Sequence, residues 1–278
     1  MSLFRTERLS IALCPEQVAV LRSPRGKRAV PSEPLLLAVL PEADAPLWKG
    51  AVAALADGLQ ALPTRRASAT LVLSNRFARF ALLPWAAAAQ GEAEAHALAA
   101  ACFESLYGDM TGWVFSFDDG AYGSPKLACA IEASFLEGLK GAFDARGVSC
   151  PRVEPYFVTC WNRWRNAVKA GDALFAVTES GATVIATLQA GQWHSVRTQS
   201  GSPDWTGLSG MMSRESLLQG FAEPPAGWLH APALDSSSCP AALIEARDKL
   251  TLLLPDVQTS ISVNAGPAQV MAAVGAGA

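Results

Sequence analysis

The sequence predicts an α/β protein of two halves that begin alike, with one inserted α+β subdomain in the first half. Three observations carry that expectation. A strand–turn–strand unit, Leu9-Ser-Ile-Ala-Leu-Cys-Pro-Glu-Gln-Val-Ala-Val-Leu21, opens the chain. The pattern returns at Leu174-Phe-Ala-Val-Thr-Glu-Ser-Gly-Ala-Thr-Val-Ile-Ala186, where two short apolar runs again flank small or polar turn residues. Between the two hairpins lies an alternation of strands and helices that includes its own aromatic strand. The expected boundaries are 1–168 for the first half, with the insertion at about 76–133, and 169–278 for a shortened second half.

The connecting stretch after the first hairpin is punctuated by Pro31, Pro34, Pro41 and Pro46. A helix is expected from Leu47 to Leu62, with Trp48, Val52, Leu55 and Leu59 on one face and Pro63 as its stop. Two strands follow from Ala69, broken near Ser74-Asn75 and closed by Pro84. Ala86 to Tyr107 is alanine-rich and helical, with Leu98, Ala101, Cys102 and Leu106 as its apolar stripe. Trp113, Phe115 and Phe117 alternate with smaller residues along a half-buried strand. Asp118-Asp119-Gly120 turns the chain into a return strand, Lys126 to Ile131. Phe135 to Arg146 is a helix with Leu136, Leu139 and Phe143 facing the core, ended by Gly147 as a C-cap glycine. Beyond Leu174 little room is left for a further insertion, and Ser200 to Ser238 is rich in Gly, Ser and Pro.

Composition narrows the function classes. Half the residues are apolar and 17% are charged, which suits a globular chain with a sizeable core. A formal charge of -3 and a pI near 5.7 argue against a nucleic-acid partner, which would require a basic stripe. Arg5 and Arg8 are followed only by the short run Ile11 to Leu13, so no signal peptide is expected. The most hydrophobic stretch, Leu35 to Leu40, is far below the ~20 residues a membrane-spanning helix needs. A cytoplasmic protein without direct membrane insertion is the expectation. The cysteines, at 14, 102, 129, 150, 160 and 239, lack zinc-site spacing, so no metal site is expected.

The paired hairpins resemble the layout of the actin-like ATPase superfamily, whose fold is ribonuclease H-like. That resemblance implies an Asp in each first strand and a turn glycine to place metal and phosphates. The corresponding positions here are Ala12, Cys14 and Ala176, and Pro15 removes an amide donor from the first loop. Glu16 and Glu179, in the two turns, are the available carboxylates and read most simply as solvated turn residues. No cofactor and no catalysis are therefore expected. The alternative is an active ATPase or sugar-kinase-like phosphotransferase using Glu16 and Glu179.

The middle of the chain narrows the resemblance. Strand, Leu83-Pro84, a Glu- and Ala-rich helix and an aromatic strand ending in Asp are similar to the inserted subdomain of PilM-like pilus assembly proteins. Gly147-Val148, Val153-Glu-Pro-Tyr156 and the small-residue end from Pro267 resemble the same family, whose near relative is the cytoplasmic part of type II secretion protein L. Relatives typically run longer, and Asn264-Ala265-Gly266 is the one adenine-packing candidate in this chain. The resemblance implies a cytoplasmic scaffold at the inner membrane. Its implied partner is the short tail of an inner-membrane pilus or secretion protein, received in a groove beside the inserted subdomain. Arg76, Phe77, Arg79 and Trp85 are the expected partner-binding residues, because arginine and aromatic side chains interleave there at a strand break. Trp161-Asn-Arg-Trp-Arg165 is a second such cluster. His96, alone in its helix, reads as packing or surface, and Asp118 and Asp119 as turn formers.

Overall fold

The structure, a computed structural model, describes residues 7–23, 33–63, 67–89, 91–168, 171–201, 203–234, 250–254 and 265–276. Pro31, Cys239 and Asn264 lie outside the described residues. The chain divides into two compact units.

The first unit comprises Met1–Phe77, Ala133–Arg163 and Pro255–Ala278. Its strands are β1 (Glu7–Leu13), β2 (Gln17–Ser23), β3 (Leu35–Ala38), β4 (Ala67–Leu73) and β8 (Ser149–Pro155), in the order β3-β2-β1-β4-β8. The β1–β2 and β2–β3 pairs are antiparallel, whereas β1–β4 and β4–β8 are parallel. β1 is buried along most of its length, as a central strand covered on both faces must be. Helix α1 (Lys49–Ala61) stops before Pro63, with Leu62 extended as a residue preceding proline must be. Its Trp48 stacks at 5.3 Å on Phe135 of α3 (Ala133–Asp144). α3 closes with Gly147 in the left-handed region (φ 66°) and Val148 N–H donating back to Phe143 O, a Schellman cap. Helix α4 (Tyr156–Trp164) follows β8 directly, and Asn75 Oδ1 accepts the Phe157 N–H of its first turn at 2.8 Å.

The C-terminal helix α6 (Pro267–Ala276) belongs to this unit and packs on β1, β2 and β4. The second half expected from the sequence, 169–278, includes these residues, but their contacts join them to the first unit. The small side chains of α6 permit the approach: a Cβ on Gly275 would fall 2.5 Å from Val72 Cγ2.

The second unit comprises Ala78–Glu132 and Trp164–Leu254. Its larger sheet runs β11-β10-β9-β12-β13, with β9 (Ala173–Glu179), β10 (Ala182–Gln189), β11 (Gln192–Ser200), β12 (Ala226–His230) and β13 (Leu250–Leu252). β9–β10 and β10–β11 are antiparallel, and β12 lies parallel to β9 and β13. Strand order and directions thus repeat those of the first unit, as the paired hairpins predict. Helix α5 (Trp205–Leu218) rises out of the Gly- and Ser-rich stretch. Asp204 caps it, accepting Gly207 N–H at 2.7 Å, and Trp205, Leu208 and Met212 turn inward.

The insertion forms a three-stranded antiparallel sheet, β5-β7-β6, from β5 (Ala78–Leu83), β6 (Trp113–Phe117) and β7 (Lys126–Glu132). Helix α2 (Glu92–Tyr107) packs on it through Ala95, Ala99 and Phe103. This corrects the expected stripe. Ala101 is exposed, Leu106 is 63% exposed and Leu98 and Cys102 are half-buried. Phe103, the largest apolar side chain in the helix, takes the core position, and its i−4 and i−8 neighbours follow it. Trp113, Phe115 and Phe117 share the sheet face against this cluster, half-buried as expected, while Val114 faces outward.

Candidate functional site

In the first hairpin the turn is four residues long. Leu13 pairs with Val18, and Cys14 N–H closes it onto Gln17 O at 2.9 Å. Ser10, Ala12 and Cys14 share one face by the alternation of an extended chain. That face meets α6. Ser10 Oγ donates to Ala272 O, and Cys14 Sγ lies 3.8 Å from Met271 Sδ. Ala12 is fully buried beneath it. Glu16 projects from the turn and ion-pairs with Arg76.

The second hairpin is tighter. Glu179 pairs with Ala182 across Ser180-Gly181, with Gly181 at φ 80°. Counting back from the last paired residue matches Ala12 with Thr178, two places beyond Ala176. Thr178 is buried and its hydroxyl meets that of Thr183 at 3.2 Å. Ala176 is fully buried within the core of the second unit. Neither register places an aspartate. Glu179 departs from the solvated turn residue expected of it: as the last residue of β9 it is only 4% exposed. The two-residue turn leaves it inside the strand pair instead of in the loop.

Arg76 and Phe77 sit in a single 3₁₀ turn (Asn75–Phe77) of the first unit. Phe77 is 6% exposed, edge-on to Phe135 at 5.1 Å. It is a core residue and has no surface to offer a partner, which removes it from the expected docking set. Arg76 is committed to Glu16. Arg79 and Trp85 belong to the second unit. The Arg79 guanidinium lies over the rings of Tyr107 (4.8 Å) and Trp113 (4.9 Å), and Tyr107 is itself fixed by donating to Phe80 O at 2.8 Å. Trp85 is 37% exposed and meets the 86% exposed Tyr122 edge-to-face at 5.3 Å. The pair borders a cavity of about 220 Å3. Tyr122 was not foreseen. It lies in the loop after Asp119-Gly120, where no periodicity marks a side chain.

Asp118 does more than form a turn, since Trp193 Nε1 donates to its Oδ2 at 3.2 Å. Burial pushes the carboxyl of Asp118 above the usual aspartate range, opposed by that hydrogen bond. His96 packs on Phe117 at 5.2 Å. Trp164 of the second cluster packs on His230 with ring centroids 4.7 Å apart and planes tilted by 43°, and His230 is fully buried with Nδ1 2.7 Å from Leu253 O. Cys150 is pushed up to about 11 by burial, which leaves its thiol protonated. Among the described residues no cluster of His, Cys, Asp and Glu suits a metal ion, and no helix is long and apolar enough to cross a membrane.

No family model and no curated protein matches the sequence. Solved structures do match the fold. The PilM-PilN type IV pilus biogenesis complex aligns with a TM-score of 0.63 at 14% identity, covering 98% of this chain and 97% of that one. A Bacteroides thetaiotaomicron protein with an actin-like ATPase fold and unknown function gives 0.57 at 11% identity, over 90% and 91%. The cytoplasmic domain of EpsL, an inner-membrane component of the Vibrio cholerae type II secretion system, gives 0.56 at 11% identity, over 98% and 93%. The chain has the actin-like ATPase fold, and the resemblance to PilM and EpsL expected from its sequence holds at the level of that fold.

Proposed function

We propose that this chain is a non-catalytic scaffold of a type IV pilus or type II secretion-like envelope assembly, docking the cytoplasmic tail of an inner-membrane protein. The observation that carries the non-catalytic part is the buried methyl group of Ala12. A metal-binding carboxylate would be needed at that strand end, and α6 instead packs across the face that Ala12 shares with Ser10 and Cys14. Thr178 and Ala176 supply no acid in the second hairpin, and Glu16 is ion-paired with Arg76. The buried Glu179 is the one feature that favours the competing reading, a phosphotransferase acting through Glu16 and Glu179.

The scaffold part draws on the shared fold, one neighbour being a pilus biogenesis complex and another the cytoplasmic domain of an inner-membrane secretion component. In this chain the docking surface would use Arg79, held over two aromatic rings, and Trp85 with Tyr122 beside a cavity fit for an apolar side chain. The test is a titration with peptides from the cytoplasmic tails of candidate inner-membrane partners. Binding that falls roughly tenfold in both Arg79→Ala and Trp85→Ala, at unchanged melting temperature, supports the proposal, each being a truncated contact worth about 1.4 kcal/mol. Normal tail binding by both variants places the docking surface elsewhere.

A further inference from the structure

The inserted sheet has two outer strands, and they differ in what lies beside them. β5 faces β11, so that side is closed. β6 packs on β7 and α2 and pairs with no second strand among the described residues. An edge strand presents a row of backbone N–H and C=O groups, and the register shows which ones. Asp118 N–H bonds Leu127 O at 3.0 Å, one residue beyond the Phe117–Ala128 pair. Bonded and non-bonded pairs alternate along an antiparallel ladder. Val114 and Ser116 therefore direct their N–H and C=O groups at β7, and Phe115 and Phe117 direct theirs at the open edge.

The side chains of β6 point the same way. Trp113, Phe115 and Phe117 lie on the face that α2 covers, in contact with Arg79, Phe103 and His96 respectively, yet each stays half-buried. A strand laid beside β6 would set its alternate side chains next to these three rings, as cross-strand neighbours on one face of a sheet. Both ends of β6 are marked by groups already named for docking. Arg79 lies over Trp113 at its start, and the loop after Phe117 leads to Tyr122, Trp85 and their cavity. The five residues between span about 17 Å.

We propose that β6 receives an extended segment of the partner's tail, apolar at alternate positions, as a fourth strand of the inserted sheet. This rests on the docking reading above and supplies its mode of binding. The backbone of the segment pairs with Phe115 and Phe117, and its apolar side chains complete the cover of the aromatic row. A further apolar residue beyond Phe117 enters the cavity beside Trp85 and Tyr122. A second copy of the chain is disfavoured as the occupant. Antiparallel self-pairing centred on Phe115 sets Trp113 against Phe117 of the other copy. Arg79 lies over the first ring and Lys126 over the second, so like charges would meet.

The probe is a fluorescein-labelled peptide in which leucine alternates with threonine. Its counterpart has N-methylated amides, which keep the side chains but cannot donate to a strand edge. The unmodified peptide is expected to bind the full chain and to protect the Phe115 and Phe117 amides in hydrogen exchange followed by NMR. Val114 and Ser116, already bonded to β7, should change little. N-methylation is expected to weaken binding roughly tenfold, the scale of one or two lost hydrogen bonds. Equal binding of the two peptides, protection that spares Phe115 and Phe117, or no binding at millimolar peptide would overturn the proposal. So would self-association that protects the same amides. Tail peptides from candidate inner-membrane partners separate this inference from the reading beneath it. Tails that lose affinity in Trp85→Ala yet leave Phe115 and Phe117 unprotected overturn the strand addition alone, whereas failure of every tail to bind overturns the docking reading as well.

Discussion

Trp193 of β11 donates its indole N–H to Asp118 at the end of β6, joining the inserted sheet to the larger sheet of the second unit. The carboxyl is thereby held beside the indole, where burial raises its pKa. A raised carboxyl pKa stabilises the folded state fully below the ordinary aspartate range, and the contribution is lost as pH rises through the folded value. Asp118→Asn keeps an acceptor for Trp193 without the ionisation. The variant should therefore gain stability relative to wild type as pH rises from about 4 towards neutrality. Denaturant melts across that range measure it, and a gap moving the other way contradicts the assignment.

The approach of α6 to the first sheet makes a second prediction. Gly275→Val places branched carbon where Val72 and Ser10 already stand, so it should cost about 1–3 kcal/mol, the usual range for overpacking. Gly210, in α5, faces open space. Gly210→Ala should stabilise by about 0.5–1 kcal/mol through helix propensity. Thermal melts of the two variants should shift in opposite directions.

Phe77 and Trp85 separate a core role from a surface one. Phe77→Ala should cost about 3–5 kcal/mol, because the ring is buried against Phe135. Trp85→Ala should move stability by less than about 1 kcal/mol and act on partner binding instead. A stable Phe77→Ala would return that residue to the surface and reverse its removal from the docking set.

Phe115 packs on Phe103 at 5.2 Å from a half-buried position. Phe115→Ala should cost about 2–3 kcal/mol, below the full value for a buried ring. Chemical denaturation can resolve this. A loss under roughly 1 kcal/mol would mean that the face is solvated.

What could be read in advance followed local periodicity. The two hairpins, α1, α3 and the β6–β7 pair announce themselves through alternation, helical spacing or the glycine at 147. Helix α5 hides in a Gly- and Ser-rich stretch, although Asp204 as N-cap and the Trp205, Leu208, Met212 spacing mark it. β3 hid among prolines because an edge strand of four residues has little pattern to show. The stripe expected for α2 differs from the buried face because its many alanines fit either face, and the burial of Phe103 settles the rotation. Around the candidate site, Arg79 in β5 and Trp85 just after it, expected from arginines and aromatics interleaved at a strand break, are both exposed. The burial of Phe77 and Glu179 was not legible, since it depends on Phe135 and on a two-residue turn closing a long-range strand pair.

The most direct test of a scaffold without phosphate chemistry is a calorimetric titration of the full chain with ATP and Mg²⁺. A buried Ala12 beneath α6 and an arginine-paired Glu16 predict no binding tighter than millimolar. A micromolar dissociation constant that is lost in Glu179→Gln would contradict the account and establish the phosphotransferase reading.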